Sequence, residues 1–515
     1  MLFFTDEGVR GILLRSAPTF VASMLTHTQV VRLIFGLKLR QLRQERGFTP
    51  AALAQTVDVS VSYLNEIEKG KKYPKADKIL AFARALGVSY DELISLSLGK
   101  KLAPVSELLQ SPVLREFPLE LFGLDPARLI ELISDAPTRV MAFISTLWEL
   151  ARNYEVRQEH FYLAALRSYQ EMHDNYFDDL EDAVRSCVAR FRLGTDAPFD
   201  LHQLEDLLGQ EYHYLIDRHE LGTRPELARL RSVLQPAARR LLLRPGLTRA
   251  QEAFILGREV AFNYLGLKDR PYTNVPAATP GSFEQVLNHF RASYFAVALL
   301  MEESQLVADL QAFFSYPRWN AALLLGLLTR YEVTPEMLLQ RVTNLLARHF
   351  GIGSLFFLRF DQHDARAPYQ LTKELHLSRL HNPHANELQE HYCRRWVSLW
   401  LMEQARHSGS PGLRVAAQRS RYWQTTDEYL CLTVARFEAN GHASSVTVGL
   451  PVDDNLRQKV KFLDDASIPV RWVNETCERC SIPDCEVRAA PPVEIERRAE
   501  QQRLAAAVQQ LIQGQ

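Results

Sequence analysis

Apolar residues between positions 33 and 93 recur at the spacing of short amphipathic helices, and turn residues separate one helix from the next. In the first of these helices Leu37, Leu39 and Leu42 form the apolar positions. Gly47 predicts its end, because glycine closes a helix at little conformational cost. The pattern predicts a compact helical unit in this part of the chain.

Two helices with clear start signals follow the first. Thr49 can cap the second helix, and Pro50 then occupies its first helical position. Ser60 can cap the third helix, which is predicted over Val61 to Glu68 and ends at Gly70. These signals predict the order helix, turn, helix.

Two more helices complete a five-helix bundle, one around Ile79, Phe82 and Leu86 and one over residues 89–96. Beyond it, residues 103–195 are helical in pattern, and residues 196–320 add a short strand at 211–216 to a mainly helical pattern. Residues 330–490 alternate helices with strand-like runs, and the first of these helices is predicted over residues 335–350. The predicted fold class is mainly α with an α+β C-terminal part.

The pattern divides the chain into six segments. They are an N-terminal arm at 1–30, the five-helix bundle at 31–98, a helical coupling region at 103–195, two domains at 196–320 and 330–490, and a tail helix at 491–515.

Length and composition agree with several domains. The chain has 515 residues, 47% of them hydrophobic, which is enough for each of three or four domains to bury a core. No window of about 18 uncharged apolar residues predicts a membrane span. Six cysteines in so long a chain do not suggest a secreted disulfide framework, so we expect a protein of the reducing cytoplasm. The first 30 residues lack a basic signal-peptide start, and we expect either a mobile arm or translation from Met24.

Positive charge is concentrated in the five-helix bundle. Residues 31–102 hold 13 lysines and arginines against 7 aspartates and glutamates, whereas the whole chain has a formal net charge of −1. Lysines and arginines that neutralise phosphates release counterions, so this excess favours binding to double-stranded DNA. A helical bundle that binds only another protein is the alternative.

The five-helix bundle resembles the Cro/cI-type (XRE) helix-turn-helix family. The residues that carry this resemblance are Leu39-Arg40, Leu53-Ala54 and Ile67-Glu68-Lys69-Gly70. The resemblance implies that the third helix lies in the major groove and presents its N-terminal residues to the base edges. The chain departs from the family at Pro50, where glutamine often opens the second helix and makes a polar contact.

This resemblance assigns DNA contacts residue by residue. Asn65 is expected to pair with adenine and Val61 to touch a thymine methyl group, and Ser62 is a third candidate for base contact. Basic side chains are expected to hold phosphates, which position the protein without specifying sequence; they are Arg43, Lys69, Lys71 and Lys72. The full predicted DNA-binding set is Arg43, Ser60, Val61, Ser62, Tyr63, Asn65, Lys69, Lys71 and Lys72.

Residues 253–262 resemble the helix that carries His-Glu-x-x-His in the ImmA/IrrE-type zinc metallopeptidase domain. Of that motif only Glu259 is present, because Arg258 and Phe262 occupy the two histidine positions. Neither a guanidinium nor a benzene ring binds zinc, and His289 near the position of the third ligand is not a site by itself. We expect a degenerate zincin-like domain without catalytic residues, in which Glu259 pairs with a neighbour. We therefore expect that the protein is not an enzyme. An active metallopeptidase is the alternative.

Three cysteines near the C-terminal end, Cys477, Cys480 and Cys485, have a C-x2-C-x4-C spacing that can bring thiolates to one centre. A fourth ligand has to come from elsewhere. Cys393 is a better candidate than Cys431, which lies within an apolar strand where a thiol acts as a small hydrophobe. Four thiolates would suit zinc or an iron–sulfur cluster equally well. Unligated, reduced cysteines are the alternative.

The combination of these segments resembles the short-chain fatty acyl regulator family, which includes the propionate and glyoxylate pathway regulators of actinobacteria; residues 330–490 also loosely resemble a GAF-like sensor. The resemblance implies a homodimeric or larger transcription factor that senses a short acyl-CoA. It also implies a [4Fe–4S] cluster at the positions of Cys393, Cys477, Cys480 and Cys485. The chain departs from the family at Arg394-Arg395, where proline and leucine are usual. A redox- or iron-responsive regulator is the alternative.

Overall fold

The computed structural model describes residues 27–95, 158–273, 282–364, 367–377 and 390–512. They fall into two compact units, which we describe separately. The predictions about residues 1–26 of the arm and about the first part of the coupling region, up to residue 157, lie outside the described residues. Residues 27–30, which were predicted to belong to the arm, instead begin the first helix.

The first unit contains the five predicted helices. They are α1 (His27–Glu45), α2 (Pro50–Thr56), α3 (Val61–Glu68), α4 (Ala76–Leu86) and α5 (Tyr90–Ile94). The two predicted caps are formed: Thr49 Oγ1 accepts a hydrogen bond from the Ala52 amide (3.1 Å), and Ser60 Oγ accepts one from the Tyr63 amide (3.1 Å). Each satisfies an amide that a helix start otherwise leaves unpaired.

One core holds the five helices together. Leu39 of α1, Leu64 of α3 and Phe82 of α4 are fully buried within it. α1 and α3 pack so closely at Gly36 that a Cβ atom there would lie 2.4 Å from the carbonyl oxygen of Ile67. The position of α3 is therefore fixed by backbone contact with α1 as well as by side-chain packing.

The second unit combines helices with two sheets. Its helices are α6 (Gln158–Met172), α7 (Asp178–Phe191), α8 (Leu201–Gln210), α9 (Arg249–Tyr264), α10 (Phe283–Leu300), α11 (Glu303–Ser315), α12 (Ala321–Tyr331), α13 (Pro335–Phe350), α14 (Val397–His407), α15 (Asp454–Lys459) and α16 (Val493–Ile512). Its strands are β1 (Leu215–Asp217), β2 (Ser232–Gln235), β3 (Arg240–Leu243), β4 (Phe356–Gln362), β5 (Gln370–His376), β6 (Gly412–Tyr422), β7 (Glu428–Phe437), β8 (Ala443–Pro451) and β9 (Val470–Val473).

The smaller sheet has the strand order β1-β3-β2, with β1 parallel to β3 and β2 antiparallel to it. The larger sheet has the order β5-β4-β8-β7-β6-β9, and all its pairs are antiparallel except β6 with β9. Alternate residues of β4, namely Phe356, Leu358 and Phe360, share a core with α14. α13 packs against β4 and β8, and the middle of β7 is buried at successive positions, so both faces of the sheet are covered.

A buried ion pair ties three helices of this unit together. Arg341 of α13 is fully buried and donates to Glu181 of α7, which also accepts a hydrogen bond of 2.6 Å from the hydroxyl of Tyr294 on α10. The sequence pattern did not predict this pair, and removal of either charge would leave the other buried without a partner.

The helical bundle followed by an α+β part matches the predicted fold class at this coarse level. The structure holds the described parts of the segments 196–320 and 330–490 within one compact unit. No helix in the described ranges combines the length and the apolar character that crossing a membrane requires.

Candidate nucleic-acid interface

The start of α3 is open to solvent. Val61 is 41% exposed, and Ser62 and Asn65 are also exposed, whereas Leu64 and Ile67 on the opposite face are completely buried. The apolar side of α3 holds it in the bundle, and the side chains predicted to contact bases face away from the core. Val61, Ser62 and Asn65 are therefore accessible to a ligand, as a base-reading role requires.

The basic loop after α3 is also on the surface, with Lys69, Lys71 and Lys72 all exposed. The Lys72 ammonium lies 2.7 Å from a carboxylate oxygen of Glu66 and 5.7 Å from the centroid of the Tyr63 ring. This hydrogen bond to Glu66 raises the pKa of Lys72. An exposed pair of this kind is weak, so it leaves the lysine available to a phosphate.

The structure gives Arg43 a different role from the predicted phosphate contact. Its Nε and Nη2 donate to the two carboxylate oxygens of Glu68 at 2.6 and 2.9 Å, and its Nη1 donates to the Phe48 carbonyl at 3.0 Å. Arg43 and Glu68 are both buried, with 7% of each residue exposed. A guanidinium used in this way joins α1 to α3 and cannot reach a phosphate, so Arg43 leaves the predicted DNA-binding set.

Lys38 is a second basic residue of α1 with a structural role. Its ammonium donates to the carbonyl oxygens of Glu92 (2.8 Å) and Ser95 (2.6 Å) at the end of α5, and burial lowers its pKa. This role of Lys38 was not predicted. The spacing held a signal, because Lys38 lies three residues after Phe35 and four before Leu42, on the apolar side of the helix.

In the second unit, the structure brings together the residues predicted to mark a degenerate zinc site. Arg258 and Glu259 are buried in the middle of α9, and Arg258 Nη2 lies 3.0 Å from His289 Nδ1 on α10. Because a guanidinium can only donate, His289 Nδ1 accepts this hydrogen bond and the imidazole is neutral. Burial and the Arg258 charge hold the pKa of His289 well below its usual value.

Glu259 pairs with an arginine, but not with its sequence neighbour. It accepts a hydrogen bond of 2.5 Å from Arg270 and one of 3.2 Å from the hydroxyl of Tyr214. The Arg270 guanidinium lies 3.7 Å from the centroid of the Phe262 ring. A guanidinium that packs on a benzene ring therefore pairs with the carboxylate where the resemblance would place zinc and its ligands.

The cysteine-containing segments are tied together by their backbones. The Cys393 amide donates to the Glu475 carbonyl (3.0 Å), and the Cys477 amide donates to the His391 carbonyl (2.8 Å). Cys393, Cys477 and Cys480 are buried, and Cys485 is half-buried. The structure thus places Cys393 next to the C-terminal loop, as the proposed fourth ligand requires.

Arg488 closes this loop, which the sequence interpretation did not anticipate. Its Nη1 donates to the carbonyls of Cys477 (3.1 Å) and Cys480 (3.2 Å), and its Nη2 donates to that of Ile482 (2.6 Å). The Ala489 amide donates to Cys477 Sγ at 3.4 Å. Donors of the protein therefore already pair with three carbonyl oxygens of the loop and with the sulfur atom of Cys477.

The side chains themselves do not form a metal-binding group. Within the described ranges, no three histidine, cysteine, aspartate or glutamate side chains are arranged to hold a metal ion. Burial raises the pKa of Cys393 to about 11, and that of Cys431 to about 12, which agrees with the prediction that Cys431 behaves as a buried hydrophobe. Zinc or an iron–sulfur cluster at the four cysteines stays a prediction.

Comparison with known proteins identifies the first unit. Residues 34–96 match the helix-turn-helix domain family. An uncharacterized HTH-type transcriptional regulator, YazB of Bacillus subtilis, is 40% identical over 60 residues, which are 12% of this chain and 87% of YazB. The control protein C.BamHI of Bacillus amyloliquefaciens is 32% identical over 71 residues, 14% of this chain and 88% of its own.

Longer relatives match more of the chain at lower identity. The HTH-type transcriptional regulator RamB of Mycobacterium tuberculosis is 25% identical over 300 residues, 52% of this chain and 58% of RamB. The propionyl-CoA carboxylase regulator of Cereibacter sphaeroides is 29% identical over 161 residues, 30% of this chain and 32% of that protein. These matches span less than two thirds of either relative.

A solved structure of a Mycobacterium tuberculosis transcriptional regulator overlaps 63% of this chain and 92% of its own, at 19% identity and a TM-score of 0.45. That likeness is too low to support an argument about the fold. The match over residues 34–96 and the high coverage of YazB and C.BamHI are sufficient to assign the first unit to a family without that structure. Through its first unit, the chain belongs to the helix-turn-helix domain family and carries a DNA-binding domain of the kind found in transcriptional regulators.

Proposed function

We propose that this protein is a cytoplasmic, sequence-specific transcriptional regulator in which α3 reads base pairs in the major groove. The observation that carries the proposal is the exposure of Val61, Ser62 and Asn65 at the capped start of α3, inside the matched domain. Lys69, Lys71 and Lys72 then contact phosphates beside the groove.

An Asn65→Ala variant tests this assignment. Loss of the two hydrogen bonds to adenine should weaken binding to the specific site by roughly 1–3 kcal/mol and leave binding to random duplex unchanged. Genomic footprinting supplies the site, and fluorescence anisotropy at fixed salt measures both affinities. Gln44→Ala removes an exposed amide from α1 and is the matched control. Equal losses on specific and random DNA for Asn65→Ala would show that the groove assignment is wrong.

We propose that the second unit controls DNA binding by sensing a small metabolite. One relative is named a propionyl-CoA carboxylase regulator, and this supports a short acyl-CoA as the effector. The region around Glu259 then serves as a degenerate zincin-like scaffold, since Arg258, Arg270 and Phe262 occupy the positions that a peptidase needs for its metal. The protein is therefore not an enzyme in this proposal.

Operator binding in the presence of propionyl-CoA tests the effector. If propionyl-CoA binds the DNA-bound and the DNA-free protein with different affinities, it has to change the affinity of the protein for the operator by the ratio of these two affinities. We expect a change of fivefold or more with propionyl-CoA and none with propionate. Operator affinity that is the same at every ligand concentration would contradict the acyl-CoA proposal. Iron and zinc analysis of anaerobically purified protein tests the cysteine prediction separately.

We also propose that α16 joins two copies of the chain. No residue of α16 is buried against the described part of the chain, and Leu504, Leu511 and Ile512 are 67%, 79% and 74% exposed. In proteins, most of the stability of a helix comes from packing of its apolar face. All charges of α16 precede Leu504, so its last nine residues are uncharged. Two antiparallel copies centred on Val508 would set Leu504 against Ile512 and bury apolar surface on both sides.

A further inference from the structure

Two arginines of the second unit are attached to the same stretch of β6. Arg395 lies in the turn before α14, and its carbonyl accepts a hydrogen bond of 3.1 Å from Gln418 of β6. Arg471 lies on the edge strand β9, opposite Ser420 of β6. Gln418 and Ser420 are two residues apart, so they point to the same face of the sheet.

Arg471 lies against α14. Its guanidinium carbon is 4.7 Å from the centroid of the Trp400 ring, which is within the range of a cation–π contact. Burial, and then the nearby charge of Arg395, lower the pKa of Arg471. Arg395 directly precedes α14, and Arg471 packs on Trp400 in the first turns of that helix, so both arginines lie at the same end of α14.

Neither guanidinium has a hydrogen-bond or ion-pair partner among the described residues, although both arginines are half-buried. Other arginines of the same sheet are neutralised: Arg359 donates to Glu336 at 2.8 Å, and Arg421 donates to Glu428 at 3.1 Å. Each guanidinium offers five N–H donors. Two adjacent, partly desolvated cations with unused donors are costly unless an anion compensates them.

The start of α14 adds to this positive potential. No side chain caps the helix at Trp396, and its first turn contains no acidic residue. The N-terminus of an eleven-residue helix carries a partial positive charge that favours anions. Arg395 immediately precedes this helix start, so both features point to a negatively charged ligand.

We propose that Arg395 and Arg471 bind the phosphate groups of a small molecule at the start of α14. Two guanidiniums match a doubly charged phosphate better than a carboxylate, whose single charge one arginine satisfies. The inference rests on the proposed function, because it identifies where the second unit recognises the phosphates of its effector. It does not depend on the acyl part of that effector.

Isothermal titration calorimetry of the full chain tests the site with three probes: pyrophosphate, ADP and adenosine. Pyrophosphate and ADP should bind with an affinity that falls as salt increases, and adenosine should not bind measurably. ADP that binds more tightly than pyrophosphate would identify a nucleotide-like ligand, and equal affinities would identify a ligand recognised by its phosphates alone. Both outcomes support the site, and failure of both phosphate probes to bind would overturn it.

Arg395→Gln and Arg471→Gln should each weaken pyrophosphate binding at least tenfold. Arg471→Lys keeps the charge but loses the paired donors, so it should fall between Arg471→Gln and the wild type. Arg436→Gln removes a half-buried arginine from β7 and should bind like the wild type. Circular dichroism spectra that match the wild type show that the variants are folded. Wild-type affinity in both glutamine variants would overturn the proposal.

Duplex DNA separates this site from the helix-turn-helix unit. If the two glutamine variants lose affinity for random duplex in the absence of other ligands, the arginines contact DNA and the small-molecule site is wrong. If the wild type binds its operator but no phosphate probe, this inference fails while the proposed function stands. If it binds pyrophosphate but no operator, the proposed function fails instead.

Discussion

Arg43 and Lys71 are both basic residues of the helix-turn-helix unit, but their charges have different surroundings. Arg43 is buried against Glu68, whereas Lys71 is exposed in the loop after α3. The same positive charge therefore stabilises the fold in one place and is available to DNA in the other. Substitution of the two residues should separate these effects.

Arg43→Met should destabilise the first unit by about 3–5 kcal/mol, because it leaves the Glu68 carboxylate buried without its partner. Hydrogen exchange at the amides of α1 and α3 measures the loss. The double variant Arg43→Met, Glu68→Leu removes both charges and should recover most of the stability. Unchanged exchange in the single variant would show that this ion pair does not support the fold.

Lys71→Ala should leave hydrogen exchange unchanged and weaken binding to specific and random duplex equally. Loss of one phosphate contact should also reduce the slope of log affinity against log salt by about one. Fluorescence anisotropy at several salt concentrations measures both quantities. A loss confined to the specific site would instead make Lys71 a base-reading residue.

At the scale of helices and strands, the sequence correctly predicts elements whose start and end signals lie in the element itself. The helix predicted over residues 335–350 is present as α13, since Thr334 caps it, Pro335 begins it and Gly351 ends it. The strands β2, β3 and β9 were not predicted. Each has four residues, and its strand conformation depends on a partner in the sheet.

At the candidate sites, too, only features that depend on local spacing can be predicted from the sequence. Exposure of Asn65 follows from helical spacing, because Leu64 and Ile67 must face the core. The burial of Arg43 does not follow from helical spacing, since its partner Glu68 is 25 residues away in sequence. The cation pair Arg395 and Arg471 is also formed by distant segments, which the strand pairing of β6 with β9 brings together.

The packing of α9 on α10 predicts a pH dependence. Since the pKa of His289 is lowered in the folded state, the unfolded chain binds an additional proton below its ordinary pKa of about 6.5. Stability is therefore fully present above pH 6.5 and falls as the pH drops below it. His289→Gln keeps an acceptor for Arg258 but cannot titrate, so its stability should depend less on pH, by up to about 1.4 kcal/mol per pH unit.

Urea unfolding between pH 7.5 and pH 5.5, followed by tryptophan fluorescence, measures this difference. His349→Gln is a control, because it makes the same substitution at a partly exposed histidine of α13, which pairs with Glu303 at 2.8 Å. Parallel stability curves for the wild type and His289→Gln would contradict a neutral, buried His289.

At the scale of the whole molecule, our proposal links binding to DNA with association of two copies. Helix-turn-helix proteins commonly bind two half-sites as dimers, and a second reading helix adds affinity only if the two copies are joined. The exposed apolar end of α16 is the surface that we propose for this contact. Its substitution should change assembly without changing the fold.

The double variant Leu504→Gln, Leu511→Gln should convert the proposed dimer to a monomer, because it puts polar groups into the contact between the two copies. At a concentration at which both are monomeric, the double variant and the wild type should unfold at the same temperature, since α16 contributes no buried residue to the described part of the chain. Operator affinity should fall at least tenfold, whereas affinity for a single half-site should be unchanged. Analytical ultracentrifugation measures the assembly, and Gln502→Ala on the same helix is the control. A dimer that persists in the double variant would show that the two copies meet at another surface.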